Sequence, residues 1–456
     1  MSRKFLLPVL AVLAINACST IAVEPVESQT RPDGPRNLIF LLGDGMGFAQ
    51  VKAYRMFADD ESTTITEPLS FDQYLVGAVV TDSISMVCNT GSAEDCWRDP
   101  YGMTDSASAA TAYATGQDTL VGALSVTPDG GRLPTILQTA KRHGKSTGLI
   151  STSEITHASP AAFAAHVIDR DQYAAIADQF FDNQWNGQPM VDVLLGGGLA
   201  YFRREDRDLV AEFVAAGYTT AFDSGQLATA DGPKLLGLFA DEWLASAWDR
   251  DQATPSLTDM TRAALDILQE DPDGFFLLVE GSQIDWAAHD NDVVGVISEM
   301  EDFNAAVAEA LEFAARSGDT LLVITADHET SGMNLGRDDI YRWDPRPIRG
   351  MQATPAALTA DFLAADESLS DFLASRLPFA LTEQERGVLD DTHRDQEPVF
   401  AAICAMFDLR TLTAWGSPGH TTVDVPLYAT GPGSDRLRGT LQNEELGKRL
   451  HEIFLP

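Results

Sequence analysis

Apolar residues along this chain gather into short runs separated by longer amphipathic stretches. The runs at Leu38–Leu42, Leu75–Val80, Thr147–Ile150, Val191–Leu195, Phe275–Val279 and Leu321–Thr325 lack the strict alternation of a one-sided strand. That pattern predicts strands buried on both faces, as in a parallel sheet. Between them, Pro134–Arg142, Pro160–Ile168, Leu257–Gln269 and Val293–Ala315 repeat apolar residues at helical spacing. Strand and helix alternate through most of the chain. The expected body is α/β: a three-layer sandwich with a central, mainly parallel sheet flanked by helices.

Residues 336–415 break the alternation. Arg337-Asp338-Asp339 opens a stretch with Pro345, Pro347 and Pro355, followed by helical segments near Ala356–Ala365 and Leu369–Leu377. Thr382-Glu383-Gln384-Glu385 has the form of a capping box. This is read as an inserted helical and irregular subdomain forming a lid, crown or subunit contact. Beyond it lie strand-like Val425–Ala429 and a closing helix near Leu441–Phe454.

The N-terminus reads as an address. Arg3 and Lys4 precede an apolar segment, Phe5–Ile15, too short to span a bilayer. Ile15-Asn16-Ala17-Cys18 then resembles a bacterial lipobox, which makes residues 1–18 a signal peptide of lipoprotein type and Cys18 its lipidated residue. Ordinary cleavage, for example after Ala22, is the alternative. Residues 19–35 are polar and Pro-rich, a tether, and residues 36–456 form the main domain. Either cleavage exports the protein: periplasmic or anchored at the outer membrane, with secretion less favoured. In an oxidising compartment Cys88 and Cys96 pair as a local disulfide and Cys404 stays unpaired.

With 68 acidic against 31 basic residues the formal charge is −37. Nucleic acid and anionic membranes are therefore poor partners for the body, and a lipid anchor is the one expected membrane contact.

The chemistry-bearing residues stand at the ends of the apolar runs. Asp105-Ser106-Ala107-Ser108 places a serine where coil gives way to an Ala-rich helix, whose unpaired N–H groups suit an anion. Asp44, in Gly43-Asp44-Gly45, follows the first strand; an ordinary Asp-Gly turn reads equally well. Glu280 ends another strand and, as a charge next to a buried run, needs a partner. Asp285 and His289 lie one helical turn apart, which suits zinc but also a surface pair. Asp327 and His328 end a third run, and His420 sits in a Gly/Pro turn. Ser159 offers an oxygen ligand or an N-cap with Pro160 at N1, capping being the simpler reading. Arg170 offers a planar fork to phosphate or is a surface arginine. Jointly, acids at three strand ends with three histidines would repel one another without cations. Two zinc ions and a harder, oxygen-loving ion would balance them.

These motifs, in this order, resemble those of the alkaline phosphatase family from about Asn37 to Pro432, weakest across 336–415. The resemblance implies a phosphomonoesterase working through a phosphoserine on Ser106 and releasing inorganic phosphate. It implies that Asp285, His289 and His420 bind one Zn2+, that Asp44, Asp327 and His328 bind a second, and that Asp44, Ser159 and Glu280 bind Mg2+. Arg170, steadied by Asp105, would clamp the phosphate, and a homodimer is favoured. Ser159 stands where the family often has threonine, and both offer a hydroxyl. His157 and Trp286 occupy positions that vary between branches; His157 in principle admits zinc at the third site but is left outside the ligand set. A related phosphodiesterase or sulfatase is the alternative, although the Cys/Ser-x-Pro-x-Arg context of sulfatases is missing at Ser106. A non-catalytic metal or phosphate carrier would leave Ser106 without a role.

Overall fold

A computed structural model describes residues 34–59, 62, 63, 65–88, 96–99 and 102–455. The predicted signal peptide, the lipobox and nearly all of the tether fall outside these residues.

The core is a ten-stranded sheet. In chain order its strands are β1 (Asn37–Gly43), β2 (Leu75–Val80), β3 (Ser146–Glu154), β4 (Val193–Gly197), β5 (Thr219–Ala221), β6 (Leu235–Leu238), β7 (Phe275–Gly281), β8 (Thr320–Thr325), β9 (Val425–Thr430) and β10 (Gly439–Gln442). They lie side by side as β10-β2-β9-β8-β1-β7-β3-β4-β6-β5. Only β9 runs against the rest; it is antiparallel to both β8 and β2. Every residue of β1, β7 and β8 is buried, as near-continuous apolar runs require. β2 departs from its predicted burial. Near the sheet edge, with only β10 beyond it, it is mostly half-exposed.

Helices cover both faces. One layer is built on Val293–Ser317, against which Leu257–Leu268, Phe48–Ala58 and Gln283–His289 pack; the other joins Ser106–Thr115 to Ala158–Ala164 and Asn443–Phe454. In the second layer Phe40 of β1 meets Tyr113 edge-on at 5.4 Å, and Phe163 stacks on Phe276 of β7 at 5.5 Å. The Tyr113 hydroxyl donates to the Ala326 carbonyl at 2.7 Å, tying the helix that begins at Ser106 to the residue before Asp327.

Register gathers the strand-end acids. Leu42 is level with Glu280 and with Thr325, and Glu280 with Ser151. Asp44, Glu280 and Asp327 thus emerge at one carboxyl edge, where open α/β sheets hold ligands.

Four helices, Pro355–Ala364, Leu369–Ala374, Glu383–Asp390 and Gln396–Thr411, lie between Asn334–Leu335 and Thr413–Ala414. Those two short strands pair antiparallel, so the helical segment leaves and returns through one ribbon. The capping box at Thr382 and Glu385 is formed. Cys404 is buried and free. No disulfide is formed among the described residues; the backbone register sets Cys88 opposite Cys96, and their side chains lie outside what the structure describes.

Candidate active site

Ser106 is the first residue of its helix, and Asp105 is the N-cap. The Asp105 carboxylate accepts from the Ser108 N–H at 3.0 Å, the Ser108 hydroxyl at 2.7 Å and the Gly122 N–H at 3.1 Å. Its other oxygen takes the Arg170 guanidinium at 3.0 Å. Burial works to raise the Asp105 pKa, but Arg170 and these donors hold it below the usual carboxylate range. The acid thus caps the helix and fixes Arg170. A second guanidinium nitrogen, Nη2, lies 3.0 Å from His157 Nε2.

Three clusters of metal-ligating side chains surround this corner, each with its ligand atoms within 4.8 Å of one another. The first holds Asp285, His289 and His420. One helical turn brings His289 Nε2 within 3.3 Å of Asp285 Oδ2. His420 Nε2 lies 3.1 Å from His289 Nε2. Nδ1 of His289 meets the Pro418 carbonyl at 2.6 Å, and Nδ1 of His420 the Thr104 carbonyl at 2.9 Å. Carbonyls only accept, so each Nδ1 carries a proton, and a neutral ring then turns an Nε2 lone pair inward.

The second cluster holds Asp44, Asp327 and His328, all fully buried. His328 Nε2 lies 3.1 Å from Asp327 Oδ2, 3.7 Å from Asp44 Oδ1 and 3.3 Å from Ser106 Oγ. Burial first, then Asp327, Asp285 and Glu280, raise the Asp44 pKa far above its ordinary value. The third cluster holds Asp44, Glu280 and His157. Ser159 borders Glu280. Burial pushes Glu280 up to about 6, against the hydroxyls of Ser151 and Ser282, which donate at 2.6 Å each, and that of Ser159, which lies near but outside hydrogen-bond distance.

Orphaned polar atoms mark this corner as fit for cations. Both oxygens of Asp44, Glu280 Oε1 and Ser159 Oγ are buried with no hydrogen-bond partner. Buried polar atoms are otherwise almost always satisfied, and an unpaired buried carboxylate is costly. Ions at these clusters would answer both deficits.

A family model described as alkaline phosphatase matches residues 35–455. The chain belongs to the alkaline phosphatase family. It is 42% identical over 462 residues to alkaline phosphatase 3 of Bacillus subtilis, covering 99% of this chain and 97% of that protein. The crystal structure of a cold-active alkaline phosphatase from a psychrophilic Shewanella superposes with a TM-score of 0.83 at 36% identity, over 92% of this chain and all of that one. A variant alkaline phosphatase from the Antarctic bacterium TAB5, with Mg bound in its M3 site, matches with a TM-score of 0.62 at 25% identity, over 92% of this chain and 98% of that one. The enzyme is a metal-dependent phosphomonoesterase of this family.

The structure brings Asp44, Asp285, His289, Asp327, His328 and His420 together, with Ser106, Glu280 and Arg170 beside them. One local reading is corrected: Ser159 is not an N-cap. The helix starts at Ala158 with His157 as N-cap residue, so the Ser159 hydroxyl falls inside the first turn. Sequence reasoning missed Thr330. Its hydroxyl donates to Asp285 and lies 3.2 Å from His328 Nδ1, linking two clusters. His157, named in the sequence as near the site but outside the ligand set, lies in the third cluster with Asp44 and Glu280.

Proposed function

We propose that phosphoryl transfer runs through Ser106. The observation that carries this reading is Ser106 Oγ, 3.3 Å from His328 Nε2 at a helix N-terminus. Asp285, His289 and His420 would hold one zinc, and Asp44, Asp327 and His328 a second; mixed imidazole and carboxylate sets suit that ion. Asp44, Ser159 and Glu280, all oxygen donors, would hold magnesium, with Asp44 shared. Arg170 always donates, so His157 Nε2 accepts from it. A neutral His157 then carries its proton on Nδ1 and has its one lone pair taken by Arg170, which supports the oxygen-only set.

Held by these residues, bound cations would supply positive charge to the serine oxygen, the transferring phosphoryl group and the leaving oxygen. Ser106 Oγ forms a bond to phosphorus as the ester P–O bond breaks and the alcohol leaves with a proton. Arg170, held by Asp105, sets its fork on two phosphoryl oxygens. Water then cleaves the phosphoserine, restoring Ser106 and freeing inorganic phosphate.

Metal content and aryl phosphate hydrolysis before and after chelation, with acid-quench trapping of phosphate on Ser106, test the scheme. Turnover without trapped phosphate rejects the serine route. A metal-replete sample preferring an aryl diester or sulfate over the monoester supports the phosphodiesterase or sulfatase alternative.

We also infer export with a lipid anchor on Cys18, supported by the lipobox-like segment. Among the described residues no helix is long and apolar enough to cross a membrane. The opposed register of Cys88 and Cys96 supports a disulfide. The return of 336–415 through one ribbon supports an insertion that caps the site or contacts the second subunit of a homodimer.

A further inference from the structure

A cleft of about 490 Å³ opens beside the phosphate clamp. The two share a wall: His157 lines the cleft and also contacts Arg170. Trp286 stands edge-on to His157 at 5.7 Å, and Trp243 edge-on to Trp286 at 5.6 Å. Trp243 is half-exposed and lines the cleft. Tyr173 adds a further ring, packed on Tyr201 at 5.1 Å.

Glu154, the last residue of β3, also lines this cleft. It is 5% exposed, and its Oε2 is buried with no hydrogen-bond partner. Asp290 adds a second acid to the wall, beside Asp292, which caps the helix Val293–Ser317, and among the described residues no lysine or arginine lines it. Aromatic faces with a desolvated carboxylate and no competing base attract an organic cation. A neutral aryl group would fill the space but leave Glu154 uncompensated.

We propose that this cleft is a leaving-group subsite for alcohols bearing an ammonium group. It rests on the phosphomonoesterase reading: the phosphate sits on the Arg170 side, and the cationic end of the alcohol lies among Trp243, Trp286, Tyr173 and Glu154. The preferred substrates are then zwitterionic monoesters of amino or quaternary ammonium alcohols.

The test compares kcat/KM of the metal-replete full-length enzyme on two esters. One is phosphocholine; the other is its neutral carbon isostere, with tert-butyl in place of trimethylammonium. The expected preference for phosphocholine is on the order of tenfold, the worth of one desolvated cation–π contact. Glu154→Gln and Trp243→Ala each bring that ratio toward one; taking a ratio within each variant cancels general losses of activity. A wild-type ratio at or below one overturns the subsite, as does a preference that persists in both variants. An aryl phosphate assayed alongside separates the two readings. Its hydrolysis without ammonium preference rejects the subsite alone, and no hydrolysis of any of the three rejects the phosphatase reading itself.

Discussion

The Nε2 atoms of His289 and His420 face each other across 3.1 Å, while Nδ1 of each ring is committed to a backbone carbonyl. With both rings neutral, two lone pairs and the Asp285 carboxylate point at one spot, where a bound cation would replace the proton that Asp285 otherwise holds on His289. Chelation is expected to abolish monoesterase activity and to lower the unfolding midpoint together. An ion present at a thousand times its Kd contributes about 4 kcal/mol to stability. Calorimetry before chelation, after it, and after return of zinc and magnesium measures the effect. Lost activity with an unmoved midpoint would show that the clusters do not depend on bound metal for stability.

Ser106→Ala separates binding from chemistry. The side chain caps nothing and its helix keeps the Asp105 box, so bound metal and stability should stay near wild type. Turnover of an aryl phosphate should fall by at least about a thousandfold, the usual scale for removing a nucleophile. Elemental analysis beside steady-state kinetics decides. Parallel loss of metal would assign Ser106 a structural role instead.

Arg170 and Asp105 differ in what they support. Arg170→Ala removes the guanidinium proposed to hold the phosphate and should lower kcat/KM about a hundredfold, the scale of a charge-assisted pair of hydrogen bonds. Asp105→Asn keeps a good capping residue but discharges the partner of Arg170. It should leave the unfolding midpoint close to wild type and reduce kcat/KM about tenfold, chiefly through KM. Inhibition by inorganic phosphate should weaken in step in both variants, and an unaltered inhibition constant in either would argue against the clamp.

The strands that build the site were legible because burial on both faces left no polar residue in them until the edge. Asp44, Glu280 and Asp327 each end such a run, and the helix N-terminus at Ser106 followed from Asp105 and the alanines. Short elements were not legible: β5 and β10 have three and four residues, too few for a period to register. The helix Gln396–Thr411 was missed as well. Pro398 lies in its first turn, where no N–H has a helical partner to lose. The carbonyls of Pro418 and Thr104 orient two imidazoles, yet a backbone oxygen leaves no trace in residue type. Thr330 joins two clusters only because its two-residue strand pairs with the one carrying His420.

Glu299 predicts a pH dependence remote from the metal clusters. It is buried in the helix Val293–Ser317, accepts the Ala247 N–H at 2.8 Å and faces Arg250 at 3.8 Å, with Asp302 nearby. Burial raises its pKa to about 7, Arg250 pulling the other way. The folded state therefore holds a proton that the unfolded chain releases near its ordinary value, and this group's contribution falls as pH rises between those points, then levels off. Glu299→Gln keeps the acceptor and removes the titration. Its stability relative to wild type should climb from about pH 4.5 to 7 by up to about 3 kcal/mol. Urea unfolding of both proteins across that range reads the difference, and a flat difference would place the Glu299 carboxyl in its ordinary range.

Gly447 links the closing helix to the catalytic corner. At an open helix position Gly→Ala stabilises by up to about 1 kcal/mol. Here an added Cβ would sit 2.2 Å from the Ala112 carbonyl and 2.9 Å from that of Tyr113, both backbone atoms of the helix that begins at Ser106. Neither atom can swing aside as a side chain can, so the two helices must part. Gly447→Ala is expected to destabilise by about 1–3 kcal/mol, the cost of overpacking, and Gly447→Val by more. Displacing that helix also disturbs the Tyr113 bond to Ala326, next to Asp327. Activity per folded molecule should therefore fall along with the urea midpoint, although Gly447 is no part of the site. A variant more stable than wild type would mean that the helices are not in this close contact.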